Sequence, residues 1–487
     1  MTEQSRIDLP PDAVKDSWIF FGLLALLVLA PLPLGSNRYW AAGILLVFAT
    51  LLLLGSAIAW LQNGALAWHR IYLFRWPLVL LASMVALAWF QTAQLPADWV
   101  AAISPKAAEL QAPATTMTLS LDPFQSRYMA SLSFVYFAVF LVTALTVREA
   151  KRLDRMAQVL ILSGVLQTIL GAVLYSFKAE YRIFFTQVSH FRLLGSFVNQ
   201  NHLAGYLCMC LSIGIGLMLA RLSNRPQSDM TWRMRLIQAI EFALSAKMRL
   251  RMLLIVMVIG LVLTRSRMGN SAFFAAMLII GLTAIALARK TAPKTLLLIS
   301  SLIVMDVFVV GTWVGLENVV ERVQGTHVLK ADNGVSESVE ARTEAGRTAL
   351  AIVRDFPLVG TGGGSFYNIF LSYRTPGYAY GFVDHAHNDF VEIATDFGLL
   401  GFGILGILVA MTLWTVIRVM TTRKSLLPWG IAFGVAMSIT ALLIHSTVDF
   451  NLQIPANALT MVVILAMGWV THTLPSPQKR RKDEPLK

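Results

Sequence analysis

Residues 385–420 read HAHNDFVEIATDFGLLGFGILGILVAMTLWTVIRVM, a polar stretch that runs directly into an apolar one. The apolar part is close to the ~20 residues that an α-helix needs to cross a bilayer. The polar part carries two histidines and several carboxylates at the edge of that helix. We therefore expect a membrane-spanning helix with titratable side chains at its end, which makes this stretch the leading candidate for chemistry.

The rest of the chain has the composition of a membrane protein with many spans. Of its 487 residues, 56% are hydrophobic and 14% are charged, and the mean hydropathy is +0.65. Soluble domains carry about 25% charged residues. Solid apolar runs, without the alternation of a β-barrel, predict an all-α fold. We expect twelve spans, at approximately 18–34, 40–60, 76–93, 129–147, 156–176, 203–220, 252–264, 271–288, 296–315, 399–420, 428–447 and 456–474.

The distribution of basic residues predicts the orientation of these spans. If the N-terminus is cytoplasmic, most of the 40 Lys and Arg residues lie on the cytoplasmic side, as the positive-inside rule requires. Both termini then lie inside. The long loops at 94–128, 177–202 and 316–398 lie outside, which in a bacterium is the periplasm. This bias also explains the net charge of +13, so no nucleic-acid partner is expected.

The chain divides into three predicted parts. Residues 1–155 hold the first four spans, and residues 156–474 form the main membrane domain, including the loop 316–398. Residues 475–487 form a basic cytoplasmic tail. Within the main domain, the basic segment 221–251 predicts a helix lying on anionic lipid.

The two cysteines do not predict a disulfide or a metal site. Cys208 and Cys210 lie two apart in an apolar run, and alternate positions on a helix point in different directions. We expect both thiols to face the core or the lipid.

The stretch around His387 predicts a general base. Asp389, with Glu392 three residues later, fits a helix cap and capping box, so His387 lies just before the first turn. A helix N-terminus disfavours a charged imidazole, so a neutral His387 could accept a hydroxyl proton. Asp384 or Asp389 could orient it. The alternatives are a metal site that includes His385, and a structural surface histidine.

Two arginines lie next to the seventh predicted span. The run Met252–Leu263 is short for a bilayer, so its end should sink towards the hydrocarbon. A guanidinium there is costly unless it meets an anion, which indicates an anion-binding role for Arg267. Arg267 is favoured over Arg265 because Gly269 would let a ligand approach closely. The alternative is that both arginines snorkel to the interface.

Polar residues also precede the sixth span. Arg192 could contact an anion, and the amides of Asn199 and Asn201, with the imidazole of His202, could bind a sugar or a phosphate. The alternative is that an asparagine caps the helix.

The segment from Glu337 to Phe356 predicts an amphipathic helix that carries Arg347 and Arg354 on one face. The glycine-rich run 360–364 after it resembles a phosphate cradle but lacks the Lys-Ser/Thr ending. We expect a flexible turn that re-enters the membrane surface instead. Farther along, the turn from His445 to Pro455 is either a second polar wall of the site or a partner for capping.

Together these motifs resemble the O-antigen ligase and polymerase superfamily, which also includes bacterial O-oligosaccharyltransferases. The most specific parts are His387-Asn388, then nine residues and Gly-Leu-Leu-Gly at 398–401, and Phe-Pro-Leu-Val-Gly at 356–360. The resemblance covers about residues 155–465. Supporting motifs in the same order are Gly195–Asn201, Thr264–Arg267, Gly346-Arg347 and His445–Asp449. A departure is Met268, where a small residue is common.

The resemblance implies a metal-independent, inverting glycosyltransferase of the bacterial inner membrane, without a cofactor. Such an enzyme takes a glycan from undecaprenyl diphosphate and joins it to a hydroxyl of a saccharide, lipid A core or protein acceptor. By motif, His387 would be the base, and Arg267 and Arg347 would hold the diphosphate, with Arg342 or Arg354 as alternatives to Arg347. A flippase and a chain-length regulator are the expected partners. The other candidates for substrate contacts are Arg265, Arg192, Asn199, Asn201, His385, Asn388 and His445.

Two questions stay open at the level of sequence. The product could be a polymer, as in O-antigen or exopolysaccharide polymerases, or a ligated glycan, and the large outer loops favour a polymerase. A transporter would instead need a polar cavity at the midplane, for which Asp306 is the clearest mid-span acid.

Overall fold

The computed structural model describes residues 15–61, 64–176, 192–221, 245–287, 339–373 and 384–475. Several expectations lie outside these residues: the ninth span at 296–315 with Asp306, most of the basic segment 221–251, and the tail from 476. The side chain of Arg342 is also outside the described part.

The described chain is almost entirely helical, as expected. In the first half the helices are α1 (Ser17–Leu29), α2 (Tyr39–Leu61), α3 (Gly64–Leu73), α4 (Arg75–Phe90), α5 (Ala97–Ile103), α6 (Pro105–Gln111), α7 (Pro123–Thr146) and α8 (Ala150–Ser176). The second half adds α9 (Gln200–Ala220), α10 (Ala246–Leu263), α11 (Arg267–Leu287), α12 (Val339–Asp355), α13 (Phe366–Tyr373), α14 (Asp389–Thr422), α15 (Leu426–His445) and α16 (Pro455–Thr473). The strands β1 (Leu95–Pro96) and β2 (Thr116–Met117) form one small antiparallel ladder, which the all-α expectation did not include.

Eight of the described helices are long and apolar enough to cross a membrane: α2, α7, α8, α9, α11, α14, α15 and α16. The bent pair of α3 and α4, which meet at 80°, would make a ninth. The chain is therefore a membrane protein with many spans, although the expected number of twelve is not established. The first predicted span corresponds to α1, which has only 13 residues.

The seventh predicted span is longer than expected. Helix α10 begins at Ala246, six residues before the apolar run, and has 18 residues. The side chain of Ser245 caps it by accepting a hydrogen bond from the backbone N–H of Met248. The helix is therefore longer than the apolar run, but its added residues include three basic side chains and it is not among the helices that are apolar enough to cross a membrane. The sequence pattern missed the first turn because basic side chains interrupt its apolar periodicity.

Helix α9 lies at the centre of the molecule, since every residue from His202 to Leu219 is buried. It packs closely against α15 because both helices present glycines at the contact. A Cβ on Gly216 would lie 2.9 Å from the backbone nitrogen of Gly434. Small residues let helices approach closely in a membrane. There the hydrophobic effect does not drive helices together, because the lipid tails are as apolar as the side chains. Cys208 and Cys210 are buried free thiols on this helix.

Candidate active site

The candidate site forms at the start of α14. Asn388 is the cap residue, and its side-chain oxygen accepts hydrogen bonds from the backbone N–H groups of Phe390 and Val391 at 3.0 and 3.2 Å. The expectation that Asp389 is the cap was therefore wrong by one residue. The Glu392 side chain contacts His385 and the backbone N–H of Ala386 instead of the cap residue. The expected capping box is therefore absent too.

Asp389 is buried and holds this helix end against the turn 446–452. Its carboxylate accepts hydrogen bonds from the hydroxyl of Ser446 at 2.6 Å and from the backbone N–H of Leu452. In addition, its own backbone N–H donates to the carbonyl of Ser446 at 3.0 Å. The side-chain N–H of Asn388 donates to the carbonyl of Thr447 at 2.9 Å. The turn after His445 thus packs against the start of α14, and its role as a polar wall of the site stays a prediction.

His387 lies immediately before the helix cap, as expected, and is half-buried. Its backbone has φ +50°, in the left-handed region that residues with a Cβ rarely adopt. The edge of its ring faces Phe450, with centroids 5.1 Å apart and planes at 71°. The imidazole is therefore held at one edge of an aromatic ring by an unusual backbone conformation.

His385 forms a buried pair with Glu392. The Nδ1 atom of His385 lies 2.6 Å from Oε1 of Glu392, and its ring stacks on Phe450 at 4.0 Å and 18°. Burial alone would lower the pKa of His385, but the negative charge and hydrogen bond of Glu392 raise it to about 9. The side chain is therefore cationic at neutral pH.

The structure brings together His202, Asp449 and Phe450, which the sequence analysis considered only within two separate segments. The His202 ring packs edge-on against Phe450 at 4.6 Å, so three histidines surround this one aromatic ring. Asp449 lies between His202, at 3.6 Å, and His445, at 4.0 Å. A histidine at the start of an apolar helix was the available signal for His202. Nothing in the sequence singled out Phe450.

His202 and His445 also lower the pKa of the Asp449 carboxyl. Burial by itself would raise the pKa of the Asp449 carboxyl. The nearby imidazoles of His202 and His445 outweigh burial and hold this pKa well below its usual range. The site therefore contains a buried carboxylate that is negatively charged at neutral pH.

Arg265 precedes α11 and Arg267 is its first residue, and the start of this helix packs against His445. Arg265 and Arg267 are both exposed, and Arg265 has φ +56°. Two residues after Arg267, a Cβ on Gly269 would lie 2.6 Å from the Ala204 side chain and 3.3 Å from Cε1 of His445. The expectation that Gly269 leaves room for a ligand was wrong, because helix packing takes up that space. The same packing places the start of α11 beside His445.

Among the residues before α9, Asn199 caps the helix and Arg192 is exposed. Asn199 is the cap of α9, and its side chain accepts a hydrogen bond from the backbone N–H of Asn201 at 2.8 Å. The capping role considered for these amides is thus observed. Arg192 is exposed, and the backbone N–H of the next residue, Leu193, donates to the carbonyl of Leu263 at the end of α10. This contact brings Arg192 to the segment that carries Arg265.

Arg347 lies on α12, the amphipathic helix that the sequence predicted. The opposite face buries Ala349, Ile352 and Phe356 in one apolar cluster with Ala386. Helix α12 therefore packs beside the segment that carries His387. Both Arg347 and Arg354 are exposed on this helix, so geometry alone does not choose between them.

The glycine-rich run after α12 is not a phosphate cradle, and it is not a free turn either. The backbone N–H groups of Thr361 and Gly362 donate to carbonyls in α14, and that of Gly364 donates to the carboxylate of Asp396 at 2.8 Å. The N–H of Gly363 donates to the side-chain oxygen of Gln91, the residue that follows α4. Because these donors are used within the protein, this run fastens α14 to its neighbours and does not hold an anion.

The structure thus brings His385, His387, Asn388 and His445 into one cluster, and it attaches the elements that carry the arginines to that cluster. Within the described ranges, no three His, Cys, Asp or Glu side chains are grouped as they would be to hold a metal ion.

Part of the chain matches a known protein family. Residues 252–405 match the family model described as O-antigen ligase. The match covers about a third of the chain and includes Arg265, Arg267, Arg347 and the segment 385–388. It does not reach Arg192, Asn199, Asn201 or His445. A search of curated proteins finds no match. The resemblance to the O-antigen ligase and polymerase superfamily is thereby confirmed for this region.

Proposed function

We propose that this chain, whose residues 252–405 carry an O-antigen ligase domain, transfers a glycan from undecaprenyl diphosphate to an acceptor hydroxyl. The reaction would take place at the periplasmic face of the bacterial inner membrane, with both termini in the cytoplasm. The observation that carries the proposal is that the matched region contains His387 and the arginines expected to hold the diphosphate. The spans of the chain fit a donor whose lipid tail stays in the bilayer.

In the proposed reaction, the acceptor oxygen attacks the anomeric carbon of the donor sugar. The bond from that carbon to the diphosphate oxygen breaks, and undecaprenyl diphosphate leaves with the electron pair. His387 accepts the proton of the hydroxyl. A single displacement inverts the anomeric centre, and the proton transfer contributes about 10²–10⁴-fold to the rate in enzymes of this kind.

Arg267 and Arg347 would stabilise the negative charge that develops on the leaving diphosphate. Guanidinium groups bind phosphate oxygens through paired, charge-assisted hydrogen bonds, and such contacts strengthen where water is excluded. Both side chains are exposed on elements that pack beside the histidine cluster. With this clamp no metal is required. Full transfer in excess chelator is the expected result, and loss of transfer would contradict it.

We favour a polymerase, in which the acceptor is another lipid-linked saccharide, over a ligase with a lipid A core or protein acceptor. The large predicted outer loops support this choice. The genomic neighbourhood distinguishes the two: genes for a flippase and chain-length regulator favour a polymerase, and core-oligosaccharide transferases favour a ligase.

The central test replaces His387 or Arg267 by alanine. Each variant should lose glycan transfer by at least about 10²-fold, because a base or a charge contact is removed. Transfer is measured with purified protein and lipid-linked donor, and insertion and folding are checked by the thermal unfolding midpoint. The control is Arg127→Ala, another exposed arginine at a helix start. Near-normal transfer by His387→Ala protein would remove His387 as the base.

A second test concerns Arg347. Arg347→Ala should raise the KM for the lipid-linked donor by about tenfold and leave the KM for the acceptor unchanged, because a diphosphate contact is lost. Arg354→Ala, exposed on the same helix, is the matched control. An effect of Arg354→Ala alone would transfer the role to Arg354.

A further inference from the structure

Glu392 makes contacts that a helix residue rarely makes. It lies in the first turns of α14 and is 2% exposed. Its two carboxylate oxygens reach back to two consecutive residues before the helix: Oε1 lies 2.6 Å from Nδ1 of His385, and Oε2 accepts the backbone N–H of Ala386 at 2.8 Å. A buried carboxylate is costly unless it is paired and hydrogen-bonded. Glu392 is paired with His385 and hydrogen-bonded to Ala386, which both lie in the segment that leads to His387.

These contacts fix the chain on one side of His387, and Asn388 fixes it on the other. Asn388 caps α14 and donates to the carbonyl of Thr447. Between the two fixed residues, His387 has φ +50°. A strained conformation of this kind persists only where its surroundings enforce it. Glu392 supplies the enforcement from the N-terminal side.

The Phe450 ring connects the same pair to His387 through space. His385 stacks on its face at 4.0 Å, while His387 meets it edge-on at 5.1 Å. A shift of His385 would therefore disturb the surface on which the His387 ring rests. The acid groups that raise the pKa of His385 are Glu392, Asp384 and Asp396, so it is cationic and attracted to Glu392 at neutral pH.

We propose that Glu392 is a positioning residue for His387, acting through His385 and Ala386. The proposal rests on the proposed function, since it assigns Glu392 to the same transfer reaction. Glu392 contacts neither donor nor acceptor in this role. It determines where the His387 imidazole lies relative to the acceptor hydroxyl, so its loss should slow the chemical step without weakening donor binding.

The test compares Glu392→Ala with Glu392→Gln in purified full-length protein. Glu392→Ala should lower kcat by about 10–100-fold, similar to the cost of removing a carboxylate that orients a metal-binding histidine, with the donor KM changed less than twofold. Glu392→Gln should stay within about threefold of wild type. Its amide oxygen can accept from Ala386, and its amide N–H can donate to neutral His385. Glu109→Ala, an exposed carboxylate in a surface pair with Lys106, is the control.

A double variant separates positioning from a general loss of structure. If Glu392 acts through His385, the kcat losses of Glu392→Ala and His385→Ala should not multiply when the two are combined. Losses that multiply, an unchanged kcat in Glu392→Ala, or a loss fully explained by less folded protein would each overturn the proposal.

The outcome is distinguishable from failure of the proposed function. If His387→Ala protein is inactive while Glu392→Ala protein is normal, only the positioning role is lost. If His387→Ala protein transfers glycan normally, the base assignment itself falls.

Discussion

At the residue scale, the backbone of His387 is the most informative detail of the site. Its φ of +50° places an L-residue where a Cβ crowds the following carbonyl. Strain of this kind costs on the order of 1 kcal/mol and tends to occur at functional sites. The backbone conformation of the proposed base therefore lowers the stability of the folded protein.

This strain predicts an unusual order of stability for two variants. His387→Gly should be more stable than His387→Ala by about 1 kcal/mol, because glycine adopts positive φ without a steric penalty. The thermal unfolding midpoint in detergent measures the difference. At Thr283, a half-buried position inside α11, the order should reverse, since glycine destabilises a helix interior by about 1 kcal/mol relative to alanine. An equal midpoint for both His387 variants would contradict the strain.

At the scale of elements, the break in α14 organises the neighbourhood of the site. Gly398 has φ +63° and ψ −174°, a conformation essentially limited to glycine. The break frees backbone N–H groups of the next two residues, and these donate to the carbonyls of Pro357 and Leu358 at 2.8 and 3.1 Å. The side chain of Gln91 donates to carbonyls on both sides of this junction. The Pro-Leu-x-Gly turn thus joins α12 to α14 and holds their relative position.

The junction predicts that Gly398→Ala is strongly destabilising, by about 2–3 kcal/mol, because the backbone is strained and the new Cβ collides with Leu358. Gly403→Ala and Gly406→Ala are matched controls in the same helix, where a Cβ meets nothing within 4 Å. They should be neutral or slightly stabilising. Thermal midpoints of the three variants decide the matter, and a neutral Gly398→Ala would show that the break is not required.

At the scale of the whole molecule, the orientation in the membrane decides whether the proposed chemistry can occur. The distribution of basic residues predicts that the start of α14 faces the periplasm and its end the cytoplasm. Both native cysteines are buried, so single cysteines introduced elsewhere can be labelled against a low background.

Asp384 is exposed just before α14. The variant Asp384→Cys should react in intact cells with a maleimide that does not cross membranes. Thr421 is exposed at the other end of the helix. The variant Thr421→Cys should react only after the membrane is permeabilised. The reverse pattern would place the histidine cluster in the cytoplasm and would contradict the proposed donor.

Local features of this protein were predictable from its sequence. The helices of the spans follow from apolar runs, the helix start near His387 from a few consecutive polar residues, and the amphipathic α12 from its periodicity. Each depends on residues within a few turns of one another. The errors were also local: the cap lay at Asn388 instead of Asp389, and basic residues concealed the first turn of α10.

The contacts that make a site were decided only by tertiary structure. His202, Glu392 and Phe450 come from three distant parts of the chain. Phe450 contacts both His202 and His385, and Glu392 pairs with His385. The role of Gly269 as a packing residue depends on Ala204, about sixty-five positions earlier. Such pairs leave no periodicity in the chain. They arise because glycine-lined helices pack closely in the membrane, and that packing determines which distant polar side chains meet.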